Sequence, residues 1–174
     1  MASINSLKDL LIDELRDLYS AETQLVKALP KMAKAASNDD LKQGILEHLE
    51  ETRGHVDRLD RSLRILGASV KGKTCHAMKG LVEEGEEAIE AKAPPAIRDA
   101  YLIGAAQRVE HYEIAAYGTA RSFAETIGED EVAELLQETL DEEGETDKKL
   151  TTIAAAVNEE ASESEEGEEE EEAD

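Results

Sequence analysis

Six carboxylates sit at helical spacings that would bring them together. Glu22 stands 29 residues before Glu51, and Glu110 and Glu113 stand 33 and 30 residues before Glu143. Asp147 follows Glu143 by four. Each lies on, or beside, the apolar stripe of an expected helix. A carboxylate there is costly to desolvate unless a cation shares it. Gathered at one height in a water-poor core, such acids repel one another and protonate unless metal ions neutralise them. Two ions bridged by carboxylates would do so. Oxygen ligands with an imidazole suit iron, or manganese as the alternative, better than zinc. His55 is the candidate imidazole, four residues after Glu51, and reads equally well as a core hydrogen bonder. His48 and His111 read as outer or surface residues. Tyr117 and Tyr19 could hydrogen-bond site carboxylates but read better as core filling, and Cys75 and His76 read as structural or incidental.

Four long helices must position these groups. The first carries Leu7, Leu11, Leu15, Leu18, Leu25 and Leu29 at spacings of three, four and seven, with Glu22 on the same line. Ser6 to Asp9 resembles a capping box, and Pro30 is expected to kink this helix rather than end it. After Ser37-Asn38-Asp39 comes a second stripe of Leu41, Ile45, Leu49, Leu59 and Leu63, closed by Gly67. A short helix over 76–91 is expected across the crossover. Pro94-Pro95 opens the third long helix, which ends at Gly128. The fourth starts near Glu129 and is expected to fade near Asn158.

This order predicts an all-α, ferritin-like antiparallel four-helix bundle with a short fifth helix in the long connection. Residues 1–158 are expected to form the bundle and 159–174 a disordered acidic tail. The two halves repeat: one acid-bearing helix, about 30 residues, then an acid followed four later by His or Asp. An internal duplication around a two-fold axis would give that pattern.

Composition sets the class. Aromatic residues are 3%, so the core is built from Leu, Ile, Val and Ala. The formal charge is −23, and outside the tail 31 acids still face 19 bases. Nucleic-acid binding is disfavoured, because it needs a basic surface. A salt-rich cytoplasm, as in halophiles, or a role with cations would explain the acidity. One cysteine rules out an intrachain disulfide. With no signal peptide and no membrane-length apolar run, a cytoplasmic protein is expected.

Four segments then resemble one family. "DLYSAETQLVKAL" (17–29), "HLEETRGHVDRL" (48–59), "AAQRVEHYEIAAYGT" (105–119) and "LLQETLDEEGETDKKLT" (135–151) are similar to the YciE/YciF-like ferritin-like proteins, and "CHAMKGLVEE" (75–84) matches their middle helix. The resemblance covers about 3–157. It implies a di-iron carboxylate site with two irons per chain, held by Glu22, Glu51, Glu110, Glu113, Glu143 and Asp147, together with a homodimer and a stress response. Oxidation of ferrous iron or reduction of peroxide would be its chemistry; a non-enzymatic stress-associated bundle acting through partner contacts is the alternative. The usual Glu-x-x-His of ferritin-like proteins is missing from both halves.

Overall fold

Local signals in the sequence set where each helix starts and stops. In the computed structural model, residues 4–171 are described, with side chains as far as residue 163. Helix α1 spans Leu7–Ala35 and is capped by Ser6, whose hydroxyl accepts from the Asp9 N–H at 3.0 Å. Such a cap contributes about 1 kcal/mol. Pro30 lies inside α1 and does not stop it.

Helix α2, Asp39–Ile65, begins at Asn38, whose side chain accepts from the Leu41 N–H at 3.0 Å. It ends in a left-handed Gly67 (φ 76°), where Ala68 N–H donates to Leu63 C=O at 2.8 Å and Gly67 N–H to Arg64 C=O at 3.0 Å. That pair of bonds satisfies carbonyls the helix leaves open, in a conformation only glycine adopts without strain.

The crossover is strapped to α1. Arg16 Nε donates to Ser69 C=O at 2.9 Å, and Cys75 N–H donates to Ser20 Oγ at 3.0 Å. Cys75 then caps the short helix α3, His76–Glu90, its sulfur accepting from the Met78 N–H. The expected structural role of this cysteine is therefore a helix cap.

Helix α4, Pro95–Ile127, starts on its proline and closes at Gly128 (φ 76°). Helix α5 is Asp130–Glu171. The expected end near Asn158 is not observed. Val157 and Ala161 are both buried, so the inward stripe outlasts Asn158, and glutamate is a good helix former. Of the expected disordered tail, residues 172–174 lie outside the described residues.

The long helices pack in a ring in the order α1, α2, α5, α4, while α3 lies across α1 and α4. Every neighbouring pair in the ring is antiparallel. Lys8, at the start of α1, pairs with Glu129, beyond the end of α4, at 2.9 Å. At the opposite end, Asp99 of α4 accepts from Ser37 and Asn38 N–H groups in the α1–α2 turn at 2.9 and 2.6 Å. Arg61 reaches Glu131 between α2 and α5.

The apolar interior is divided in two. One part is built around Leu25, Leu29, Leu41, Ile45, Leu102 and Leu150, and the other around Leu11, Leu15, Leu59, Leu63, Val132 and Leu136. Each fully buried Leu contributes about 1.5–3 kcal/mol. Those two parts leave a polar layer between them. Among the described residues there is no strand, and no helix is long and apolar enough to cross a membrane.

Candidate metal centre

The polar layer is made where each inward stripe changes character for a turn. On α1, Glu22 replaces a leucine between Leu18 and Leu25. On α4, Glu110 and Glu113 lie three apart on one face, with Tyr117 four further on. On α5, Glu143 follows buried Leu136 and Thr139. On α2, the inward positions are His48, Thr52 and His55, with Thr52 Oγ1 tied to the His48 carbonyl at 2.8 Å. All of these side chains are buried, and Glu22, Glu113, Glu143 and His55 are fully so.

Two groups of candidate ligands result. His48, Glu110, Glu113 and Glu143 form one, and Glu22, His55 and Glu143 the other; within each, one ligand atom per residue lies within 4.8 Å of the rest. Glu143 belongs to both and turns one oxygen toward each. Its Oε1 is 3.1 Å from His55 Nδ1 and its Oε2 is 3.8 Å from His48 Nε2. His48 Nε2 also lies 3.4 Å from Glu110 Oε1, and His55 Nδ1 lies 3.3 Å from Glu22 Oε1.

The residues fit a metal pair. Both oxygens of Glu113, Oε2 of Glu143, of Glu22 and of Glu110, and Nε2 of His48 are buried without an aligned hydrogen bond, and so are His55 Nδ1 and Glu143 Oε1, which meet only as an ion pair. Buried polar atoms are almost always satisfied, so this many orphans facing one layer calls for a ligand. Two divalent ions would neutralise the four carboxylates. Oxygen donors with two imidazoles match iron or manganese.

Electrostatics describe the same strain. Burial raises Glu22, although His55 opposes it, and pushes Glu110 and Glu113 well above the usual carboxylate range, reinforced by the neighbouring acids. Burial pulls His55 down, but pairing with Glu143 and Glu22 outweighs this and moves it to about 10. Glu143 is held below its ordinary value: burial raises it, and the pairing with His55 and the charge of His48 more than compensate. Burial, joined by the nearby acids, raises Tyr117 well above its ordinary value, so its phenol keeps its proton and donates to Glu22 Oε1 at 2.5 Å.

Two expected ligands are placed elsewhere. Glu51 is about half exposed and touches the outer side of His48, its Oε2 lying 3.4 Å from Nδ1. The seam on α2 runs through residues 48, 52 and 55, which turns residue 51 outward. Asp147 is part-exposed, accepting from Gln107 at 3.2 Å and facing His111 Nε2 at 3.2 Å. His48 takes an inward position in their stead, which corrects its expected outer role. Of the other candidates, Glu22, His55, Glu110, Glu113 and Glu143 all lie in the two groups.

Behind His55 stands a carboxylate that the sequence did not point to. Glu142 Oε2 is 2.8 Å from His55 Nε2, and Arg58 grips the same carboxylate with both terminal nitrogens, Nη1 donating to Oε2 at 2.5 Å and Nη2 to Oε1 at 2.8 Å. A His whose far nitrogen donates to a carboxylate offers its other nitrogen to a metal in a defined orientation. No periodic signal marks Glu142, because it sits off the stripe on a surface rich in acids.

Comparison with known proteins agrees with this architecture. Residues 6–162 match the family model described as Domain of unknown function (DUF892). Protein YciF of Escherichia coli (strain K12) is 48% identical over 153 residues, which span 87% of this chain and 92% of that protein. The crystal structure of the E. coli stress protein YciF superposes with a TM-score of 0.87 at 46% identity, covering 90% of this chain and 99% of that one. A ferritin-like, diiron-carboxylate protein from Bacillus anthracis str. Ames gives a TM-score of 0.68 at 15% identity, covering 87% and 99%, and at that identity it speaks for the fold alone. The bundle is ferritin-like, and the chain belongs to the DUF892 family, in which its E. coli relative is YciF.

Proposed function

We propose that this chain is a ferritin-like metal protein holding two ions in its central layer, iron foremost and manganese as the alternative, and that it oxidises ferrous iron or reduces peroxide. The observation that carries this reading is Glu143, whose two oxygens face two separate histidine-and-carboxylate groups. A bridging carboxylate between paired ions needs that placement. Glu22 and His55 would hold one ion, and His48, Glu110 and Glu113 the other. Glu51 and Asp147 remain at the rim as acids past which a cation can enter. When bound, the ions supply one-electron chemistry that no side chain here offers.

The chain's own residues do the rest. Glu142 and Arg58 orient His55, and Tyr117 fixes Glu22 through its phenol hydrogen. The two apolar halves of the core limit water on either side. By extension from the E. coli relative, which is a stress protein, the reading places this activity in a stress response, and it keeps the sequence-based expectation of a cytoplasmic homodimer. Light scattering on a sizing column checks the dimer.

Anaerobic titration with ferrous iron tests the centre. About two ions per chain are expected, and Glu22→Ala with Glu143→Ala should abolish uptake while far-ultraviolet dichroism stays helical. Substoichiometric uptake by the native chain would overturn the reading.

A further inference from the structure

Two apolar cavities approach the polar layer from different sides and end on the same three residues. The larger, about 30 Å³, lies between α1, α3 and α4 and is lined by side chains such as Met32, Leu81, Val82 and Val109. The smaller, about 20 Å³, lies against α2 and α5 near Ile45, Leu150 and Ile153. Both reach Leu29, Ala106 and Glu110, and the smaller one also reaches His48. Glu110 is almost completely buried and leaves Oε2 without a partner there.

An ion has no reason to take the larger cavity, whose wall is apolar between Lys31 and Glu86 at one end and Glu110 at the other; the smaller one also has Thr146 and Lys149 in its lining. Stripping its hydration shell against a hydrocarbon lining is prohibitively costly. Its natural approach is the polar rim, where Glu51 and Thr146 Oγ1 lie 3.4 and 3.2 Å from His48 Nδ1. Hydrogen peroxide is little better suited, because it carries donors and acceptors that the lining leaves unsatisfied. A small neutral apolar molecule loses nothing by entering. Room for one water needs about 10–15 Å³ by this measure, so about 30 Å³ accepts a diatomic.

We infer that the cavity between α1, α3 and α4 is the binding and entry site for dioxygen, separate from the polar route for cations. The inference rests on the metal reading above and gives dioxygen a route of its own. Its redox balance is that of ferrous oxidation. With two ferrous ions held, one dioxygen and two water molecules would give two ferric ions, one hydrogen peroxide and two hydroxides, each ferrous ion losing one electron.

The mouth is set by the Lys31–Glu86 ion pair (2.8 Å), which spans from α1 to α3. Gly85 keeps the interior open. A Cβ there would already meet the Met32 methyl at 3.4 Å, so a larger side chain takes the free space. Gly85 is distant in sequence from every candidate ligand, and its helix gains propensity from any ordinary substitution.

The experiment uses the full chain, native and Gly85→Leu, with Ala28→Leu on the opposite wall as a second variant should the first fold poorly. Xenon, an apolar gas probe, is titrated into the metal-free protein and followed by 129Xe NMR. Saturable binding is expected in the native chain and its loss in the variants. The proteins are then loaded anaerobically with ferrous iron and mixed with dioxygen or with hydrogen peroxide. Oxidation by dioxygen should slow at least five-fold in the variants, while iron uptake and the peroxide reaction stay unchanged. Absence of xenon binding in the native chain, or equal dioxygen rates in native and variant, overturns the inference while normal iron uptake leaves the metal centre standing. Failure of the native chain to take up iron overturns both.

Discussion

At the scale of single residues, the centre depends on one histidine being held by its far side. His55 presents Nδ1 to a metal when Nε2 carries the proton, and Glu142, 2.8 Å from Nε2, favours that tautomer. Arg58 in turn keeps that carboxylate charged and in place, and holds Glu142 below the ordinary carboxylate range. Removing such an outer partner typically weakens metal affinity 10–100-fold. Glu142→Gln keeps the shape and removes the charge, so a drop of about that size in ferrous affinity is expected, with two-ion stoichiometry and helicity retained. Isothermal titration under anaerobic conditions measures it; unchanged affinity would remove Glu142 from the centre. Much of the inner set was readable from the chain because acids on a leucine stripe are anomalous: Glu22, Glu110, Glu113 and Glu143 all came from that reasoning. On α2 only His55 was readable in this way; His48 read as an outer residue and Glu51 as a ligand. Residues 51 and 52 are 100° apart on the helix, and a three-and-four rhythm admits either beside His48 and His55. Packing chose Thr52, and the acid that looked inward on paper faces solvent.

At the scale of elements, one buried carboxylate ties the two helical hairpins together. Asp99 on α4 is 2% exposed and accepts from the N–H groups of Ser37 and Asn38, which end the α1–α2 turn. It thus satisfies donors that the start of α2 would leave open. Its removal strands those donors away from water, at about 1–3 kcal/mol for a buried unsatisfied group. Asp99→Ala should therefore lower the denaturation midpoint by that much, while iron uptake stays at two ions because the centre is more than one helical turn away along α4. Urea unfolding monitored by dichroism reads the first and anaerobic titration the second; a neutral effect on stability would show the bond to be idle. This anchor was invisible in sequence, since an Asp five residues into a helix usually serves that helix's own N-terminus. The helices themselves were plain from periodicity and punctuation. The exception is the end of α5, where Glu-rich composition suggested disorder but Val157 and Ala161 continue the buried stripe.

At the scale of the whole molecule, charge opposes compaction twice: on the surface and inside. The surface term follows from −23. Self-repulsion weakens as the Debye length shrinks from about 10 Å at 0.1 M salt to 3 Å at 1 M. The metal-free chain should melt higher in 1 M sodium chloride than in 0.1 M, measured by calorimetry, and a lower midpoint would argue against surface repulsion as the controlling effect. The internal term sets the pH dependence. Glu22, Glu110 and Glu113 are raised in the fold, chiefly by burial. Their protonated forms are therefore favoured, and their contribution is complete below the unfolded glutamate value of about 4.3 and is lost as pH rises. His55, raised to about 10, acts with the same sign: its contribution is present below about 6.5 and fades as pH climbs through 10. Glu142 and Glu143 act in the opposite direction, since their lowered values favour the fold above about 4.3 and lose that benefit in acid. Those two benefits are constant across neutral pH, so the raised acids and His55 set the slope there, and the metal-free chain should lose stability between pH 5 and pH 8. Metal ions replace the protons, and their binding strengthens over the same range as the ligands ionise. At a free metal concentration 100 times the dissociation constant, the gain is about 2.7 kcal/mol. Unfolding midpoints with and without manganese, which is stable in air, should diverge as pH rises from 5 to 8. A metal increment that does not change with pH would mean that the buried acids are not what the ions displace protons from.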